Sequence, residues 1–121
     1  MSGPLYHFTC RDGHRMIGRY NCLLMPQIAW PVIWMTELAL PDFEATGLGS
    51  ITLQCDRTEY RYVVTDLTDC RPWLGSPERG DQDEGFLDLL ERFGDPEHWW
   101  ISARPTPATW DRSYVRPMAQ H

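Results

Sequence analysis

Leu5–Cys10 (LYHFTC) and Val32–Thr36 (VIWMT) are the stretches on which the fold reading turns. Both are rich in aromatic and β-branched side chains, which pack well on a pleated surface, and both read as strands. The second does not alternate apolar with polar, so it is expected to be buried on both faces. Between them, Asp12 is placed to cap a short helix running to about Arg19, with Met16, Ile17 and Tyr20 on its inner side. Asn21 tolerates the left-handed turn that ends a helix, and Cys22–Met25 is a short apolar segment stopped by Pro26.

Downstream, Ser50–Cys55 alternates Ile51, Leu53 and Cys55 with polar partners, and Glu59–Thr65 does the same with Tyr60, Tyr62 and Val64. The polar interval Asp56–Thr58 joins them as an expected antiparallel hairpin. Asp69–Asp83 holds Pro72, Gly75, Pro77 and Gly80 and reads as a mobile surface loop. Gln82–Phe93 is the clearest helix: Asp81 and Glu84 form an imperfect capping box, and Gly94 ends it. Its expected apolar face is Phe86, Leu87, Leu89, Leu90 and Phe93. His98–Ala103 is a further strand whose consecutive Trp99 and Trp100 face opposite sides. Residues 105–121 form a C-terminal tail whose Trp110 and Tyr114 are expected to dock on the body. The expectation is one α+β domain over residues 1–121, a small and mostly antiparallel central sheet flanked by two short helices.

The 121 residues suit one domain and are too few for two ordinary cores. Hydrophobic residues make up 42% and charged residues 23%, which places the chain in the globular class. Fifteen aromatic residues, six of them Trp, supply large buried area to a small core. Formal net charge is −6, which argues against a broad phosphate-binding face. All eleven basic residues are Arg, so lysine Schiff-base chemistry is excluded. No segment approaches the roughly 20 apolar residues of a membrane span. The N-terminus lacks the basic flank and apolar stretch of a signal peptide, so a cytoplasmic location and reduced thiols at Cys10, Cys22, Cys55 and Cys70 are expected. His7, Cys10, His14 and Cys22 carry metal-ligating atoms, but their spacing matches no familiar zinc finger and there is no CxxC pair. No metal site is expected.

The order His7-Phe8-Thr9, Ile17, Asn21, Leu23-Leu24, Pro26, Ile33-Trp34-Met35-Thr36 resembles the start of the ADP-ribosyltransferase-like fold. It looks most like the DNA-targeting ADP-ribosyltransferase toxins and the RNA 2′-phosphotransferases. There a first strand carries His-x-Thr, a helix leads to a Gly-Leu turn, and a later strand ends in an aromatic-x-Thr pattern. Asn21 stands where the family turn has glycine. The resemblance implies NAD as substrate, with His7 and Thr9 on the nucleotide, Thr36 nearby, and Trp34 or Tyr20 stacking on the ring. It also implies a glutamate at the start of the last strand. Glu97 sits there, with Glu59 and Glu37 as weaker candidates. Such a carboxylate orients the acceptor or stabilises the positive centre that forms as nicotinamide leaves. An arginine steadies the phosphates; Arg15, Arg19, Arg57 and Arg61 are available, with Arg57 and Arg61 first because they lie on or beside the hairpin.

Two functions follow. One is transfer of ADP-ribose from NAD to a macromolecular or small acceptor, with phosphotransfer at a 2′-phosphorylated end as a variant. The other is a non-enzymatic small acidic module that binds and occludes a basic protein partner by charge complementarity. For each candidate a plainer role exists: His7 as a core hydrogen-bonder, Thr9 as a helix cap, Glu97 as a solvated charge.

Overall fold

The computed structural model describes residues 3–20, 22–23, 32–40, 59–92 and 95–115. β1 (Leu5–Thr9) leads into α1 (Arg11–Tyr20), then β2 (Cys22–Leu23), β3 (Ile33–Thr36) and β4 (Tyr60–Val64). β5 (Cys70–Pro72), α2 (Pro77–Gly80), α3 (Glu84–Glu91), a 3₁₀ turn (Pro96–His98), β6 (Trp99–Ser102), β7 (Thr106–Pro107) and β8 (Thr109–Trp110) follow. Six strands form one sheet in the order β5-β6-β3-β1-β4-β8, with every pairing antiparallel, and β2 pairs with β7 apart from it. The protein is thus α+β, built on a mostly antiparallel sheet with a few short helices. Among the described residues no helix is long and apolar enough to cross a membrane.

Residues directly paired across antiparallel strands project to the same side, so the register sorts the core into two layers. Leu5, Ile33, Met35, Tyr62 and Val64 share one side and meet Ile17 of α1 and Leu23 of β2. Trp99 and Ile101 share the other side and meet Val32, Trp73 and the Leu87 and Leu90 side chains of α3. β3 feeds both layers, as its lack of alternation implies.

The inner side of α1 differs from expectation. Ile17 is buried, whereas Met16 and Tyr20 are half exposed. The first turn decides the rotation. A Cβ added at Gly13 would lie 1.9 Å from the Thr9 Oγ1, so the backbone at Gly13 comes hard against the end of β1 and carries Ile17, one turn on, inward.

The segment 69–83 also differs from the surface loop expected. It contains β5, which extends the sheet beside β6, and α2, with Trp73 fully buried between them. Trp73 N donates to Trp99 O, Gly75 turns the chain at φ 84°, and Ser76 Oγ accepts from Arg79 N to cap α2. The Pro and Gly residues punctuate short elements here. Asp81 consequently ends α2, its N–H donating to Pro77 O. The cap of α3 is Asp83, which accepts from Gly85 N and Phe86 N. Leu87 and Leu90 face the core, while Leu89 is 68% exposed. Phe93 and Gly94 lie outside the described residues, as do Asn21, Leu24–Pro26 and Ser50–Thr58 with the expected hairpin partner. The described neighbours of β4 are β1 and β8.

The tail from Pro105 pairs through β7 and β8 with β2 and β4. Trp110 packs on His14 and Tyr60, and Tyr114 on Phe8.

Candidate functional site

His7 and Thr9 lie two apart on β1 and share the α1 side of the sheet. Thr9 is buried against Gly13. His7 is half-buried, and its Nδ1 hydrogen-bonds Trp34 O at 2.8 Å. β1 and β3 form one register pair, Tyr6 with Thr36; beyond it the His7 side chain bridges the two strands. Trp34 and Thr36 project to the opposite side. There Trp34 packs on Trp73 and Trp99 with ring centroids 4.7 and 5.7 Å away, and Thr36 Oγ1 accepts from Leu38 N. Trp34 therefore serves the second core layer.

Arg61 is committed elsewhere. Its Nε and one terminal nitrogen donate to Asp111 Oδ2 at 3.1 and 2.5 Å, and the other terminal nitrogen donates to Ala39 O at 2.6 Å. The guanidinium also lies over the Tyr6 and Tyr114 rings, 5.0 and 4.9 Å from their centroids. Ser113 and Arg61 together hold the Asp111 carboxyl below its usual range. Arg15, Arg19 and Tyr20 are exposed on α1, and Arg57 lies outside the described residues.

Glu97 is exposed in the 3₁₀ turn that leads into β6. The register places it about three residues along the strand direction from His7 and two strands across, on the order of 10 Å each way. The candidate residues thus occupy three places: His7 and Thr9 beneath α1, Trp34 and Thr36 on the α3 side, and Glu97 at the end of the sheet.

That end holds a constellation the sequence reading did not assemble. Glu37 follows Thr36 at the end of β3, and its Oε1 accepts from Trp100 Nε1 at 2.7 Å. Its Oε2 meets His98 Nδ1 at 3.1 Å, and its backbone N–H donates to His98 O at 3.0 Å. The hydrogen bond to His98, then that to Trp100, holds the Glu37 carboxyl below its usual range. The same bond, with Glu97 and Asp95 beside it, raises the affinity of His98 for its proton. Both side chains remain well exposed, at 43% and 38%. Trp100, not Trp34, is the tryptophan that meets Glu37. A signal was present in sequence: His98 and Trp100 alternate on one strand edge. Their partner Glu37 lies 61 residues from His98, so only the β3–β6 pairing reveals it.

A second histidine is built differently. His14 Nδ1 meets the buried Tyr62 hydroxyl at 2.6 Å. Its ring stacks on Tyr60 at 4.0 Å, with the edge of Trp110 at 4.5 Å. Burial, reinforced by Arg112 and opposed by Glu59, depresses its pKa. This cluster fastens α1 to β4 and β8. Among the described residues no group of three or more His, Cys, Asp or Glu could hold a metal ion. Burial, with Asp69 and Asp66 nearby, raises the pKa of the Cys70 thiol.

Comparison of the chain with protein-family models, curated proteins and solved structures returns no match.

Proposed function

We propose that the protein is an NAD-binding, ADP-ribosyltransferase-like protein that transfers ADP-ribose to a macromolecular or small acceptor. The observation that carries this reading is strand adjacency. β1 with His-x-Thr, β3 with Trp-x-Thr and β6 with Glu97 at its entry are consecutive neighbours in the sheet. In this reading His7 meets the nucleotide at the edge of α1, and Glu97 supplies negative charge where the ribose carbon becomes positive. A dinucleotide is long enough to span the separation between them. Trp34 has no part in stacking, and Trp100 takes that role. Phosphate binding falls to an arginine other than Arg61, whose donors hold Asp111 and Ala39.

The test is titration of NAD into the purified protein, followed by tryptophan fluorescence, with His7→Ala as control and nicotinamide release measured in Glu97→Gln. Saturable quenching that His7→Ala abolishes, with release lost in Glu97→Gln, supports the reading. No quenching at millimolar NAD sinks it.

A second reading has its own observation. Residues 76–97 contain eight acidic and two basic residues, which accounts for the whole formal charge of −6; the remainder is balanced, nine of each. Leu89 is exposed within that segment, on α3. An acidic surface with an exposed apolar residue suits a basic protein partner, and this non-enzymatic function is the one to pursue if NAD fails to bind.

A further inference from the structure

Transfer of ADP-ribose to water or another hydroxyl needs a group that takes the hydroxyl proton. The geometry points to His98 as that general base, positioned by Glu37; this rests on the ADP-ribosyltransferase reading above. Residue 98 is gripped by Glu37 twice, through backbone and carboxylate, and the second carboxylate oxygen is fixed by Trp100 Nε1. Facing an ionised carboxylate, Nδ1 of the neutral imidazole carries the proton and donates it to Oε2, which leaves Nε2 as the basic nitrogen. The side chain is 38% exposed, so an acceptor can approach it. The preceding residue in the turn is Glu97, the carboxylate proposed for the ribose carbon, and its charge reaches His98.

The charged groups around His98 are Glu37 from the end of β3 and Glu97 and Asp95 from its own turn. All are acidic, and each favours the imidazolium that forms when the proton arrives. The bond between ribose C1′ and the nicotinamide nitrogen breaks, and its electron pair leaves with nicotinamide, neutralising the ring. The acceptor oxygen forms the new bond to C1′, and its proton passes to His98 Nε2. Glu37 touches neither NAD nor acceptor and acts as a positioning residue. Such a base contributes typically about 10²–10⁴-fold.

The experiment measures nicotinamide release from NAD with water as acceptor. His98→Asn keeps an amide N–H near the Nδ1 position for Glu37 and removes Nε2. The expected result is a kcat lower by about 100-fold, unchanged quenching by NAD, and partial rescue by added imidazole. In wild type the acidic limb of the rate profile follows His98, and Glu37→Gln moves it to lower pH because the group that favours the imidazolium is lost. A His98→Asn protein with wild-type kcat and pH profile overturns the assignment while the transferase reading stands. Wild type that binds no NAD and releases no nicotinamide overturns both.

Discussion

Glu91 and Glu37 make the same set of contacts in two regions and put them to different uses. Each accepts an indole N–H and a basic side chain: Trp73 and Arg79 for Glu91, Trp100 and His98 for Glu37. Trp73 is fully buried and Arg79 is permanently charged, so the Glu91 set is a fixed staple between the β5–α2 segment and α3. Trp100 is half-buried, and His98 is exposed and titratable, so the Glu37 set stays open to solvent and to protons. The hydrogen bond to Arg79, assisted by Trp73, holds the Glu91 carboxyl below its usual range, as His98 does for Glu37. A depressed carboxylate is therefore no guide to function by itself; exposure and the nature of the partner separate the two.

The contrast can be broken most forcefully at the tryptophans. Trp73→Ala empties the centre of the second core layer and is expected to cost about 3–5 kcal/mol in urea unfolding. Trp100→Ala should cost less, since the ring is only partly buried against the first core layer. Equal losses would mean that both sets are structural. Glu91→Gln is next: it weakens the acceptor for a buried indole N–H and breaks the Arg79 pair, with an expected loss of about 1–3 kcal/mol.

Glu37→Gln should leave stability within about 1 kcal/mol of wild type, as exposed pairs do. It should lower the pKa of His98, read by NMR titration of the imidazole. An unchanged His98 titration would remove Glu37 as its partner.

The smallest effect is a difference of sign between the histidines. The folded pKa of His14 lies below the ordinary value of about 6.5, so the unfolded chain binds the proton first. Stability should fall as pH drops through that value, and His14→Gln should remove that part of the slope between pH 7 and 5 in thermal melts. The folded pKa of His98 is raised. Its contribution is complete below about 6.5 and is lost as pH rises through the folded value. The same sign at both sites would break the comparison.

Much of the fold was legible locally. β1, α1, β3, β4, α3 and β6 fall where apolar periodicity put them, because their patterns match strand or helix spacing. The 69–83 segment misled, because four Pro and Gly residues outweigh one Trp in a local reading, whereas burial of Trp73 organises the segment in three dimensions. Met16 and Tyr20 are apolar enough to suggest an inner side of α1, whereas the close approach of Gly13 to Thr9 sets its rotation and buries Ile17. The site was less legible. Glu37 is visible in the sequence as a candidate carboxylate, but nothing local joins it to His98 and Trp100 across some 60 residues of chain.

Read residue by residue, the chain yields its acidity, its supply of aromatic core, and the strands and helices whose side chains repeat at two or at 3.6 residues. Tertiary structure alone decided which residues meet. It packed Trp34 against the second core layer and set Trp100 beside Glu37, spent Arg61 on Asp111, and brought Glu37 to His98. The reason is that register is a property of paired strands: a side chain's face and its cross-strand neighbour exist only once β3 has found β6.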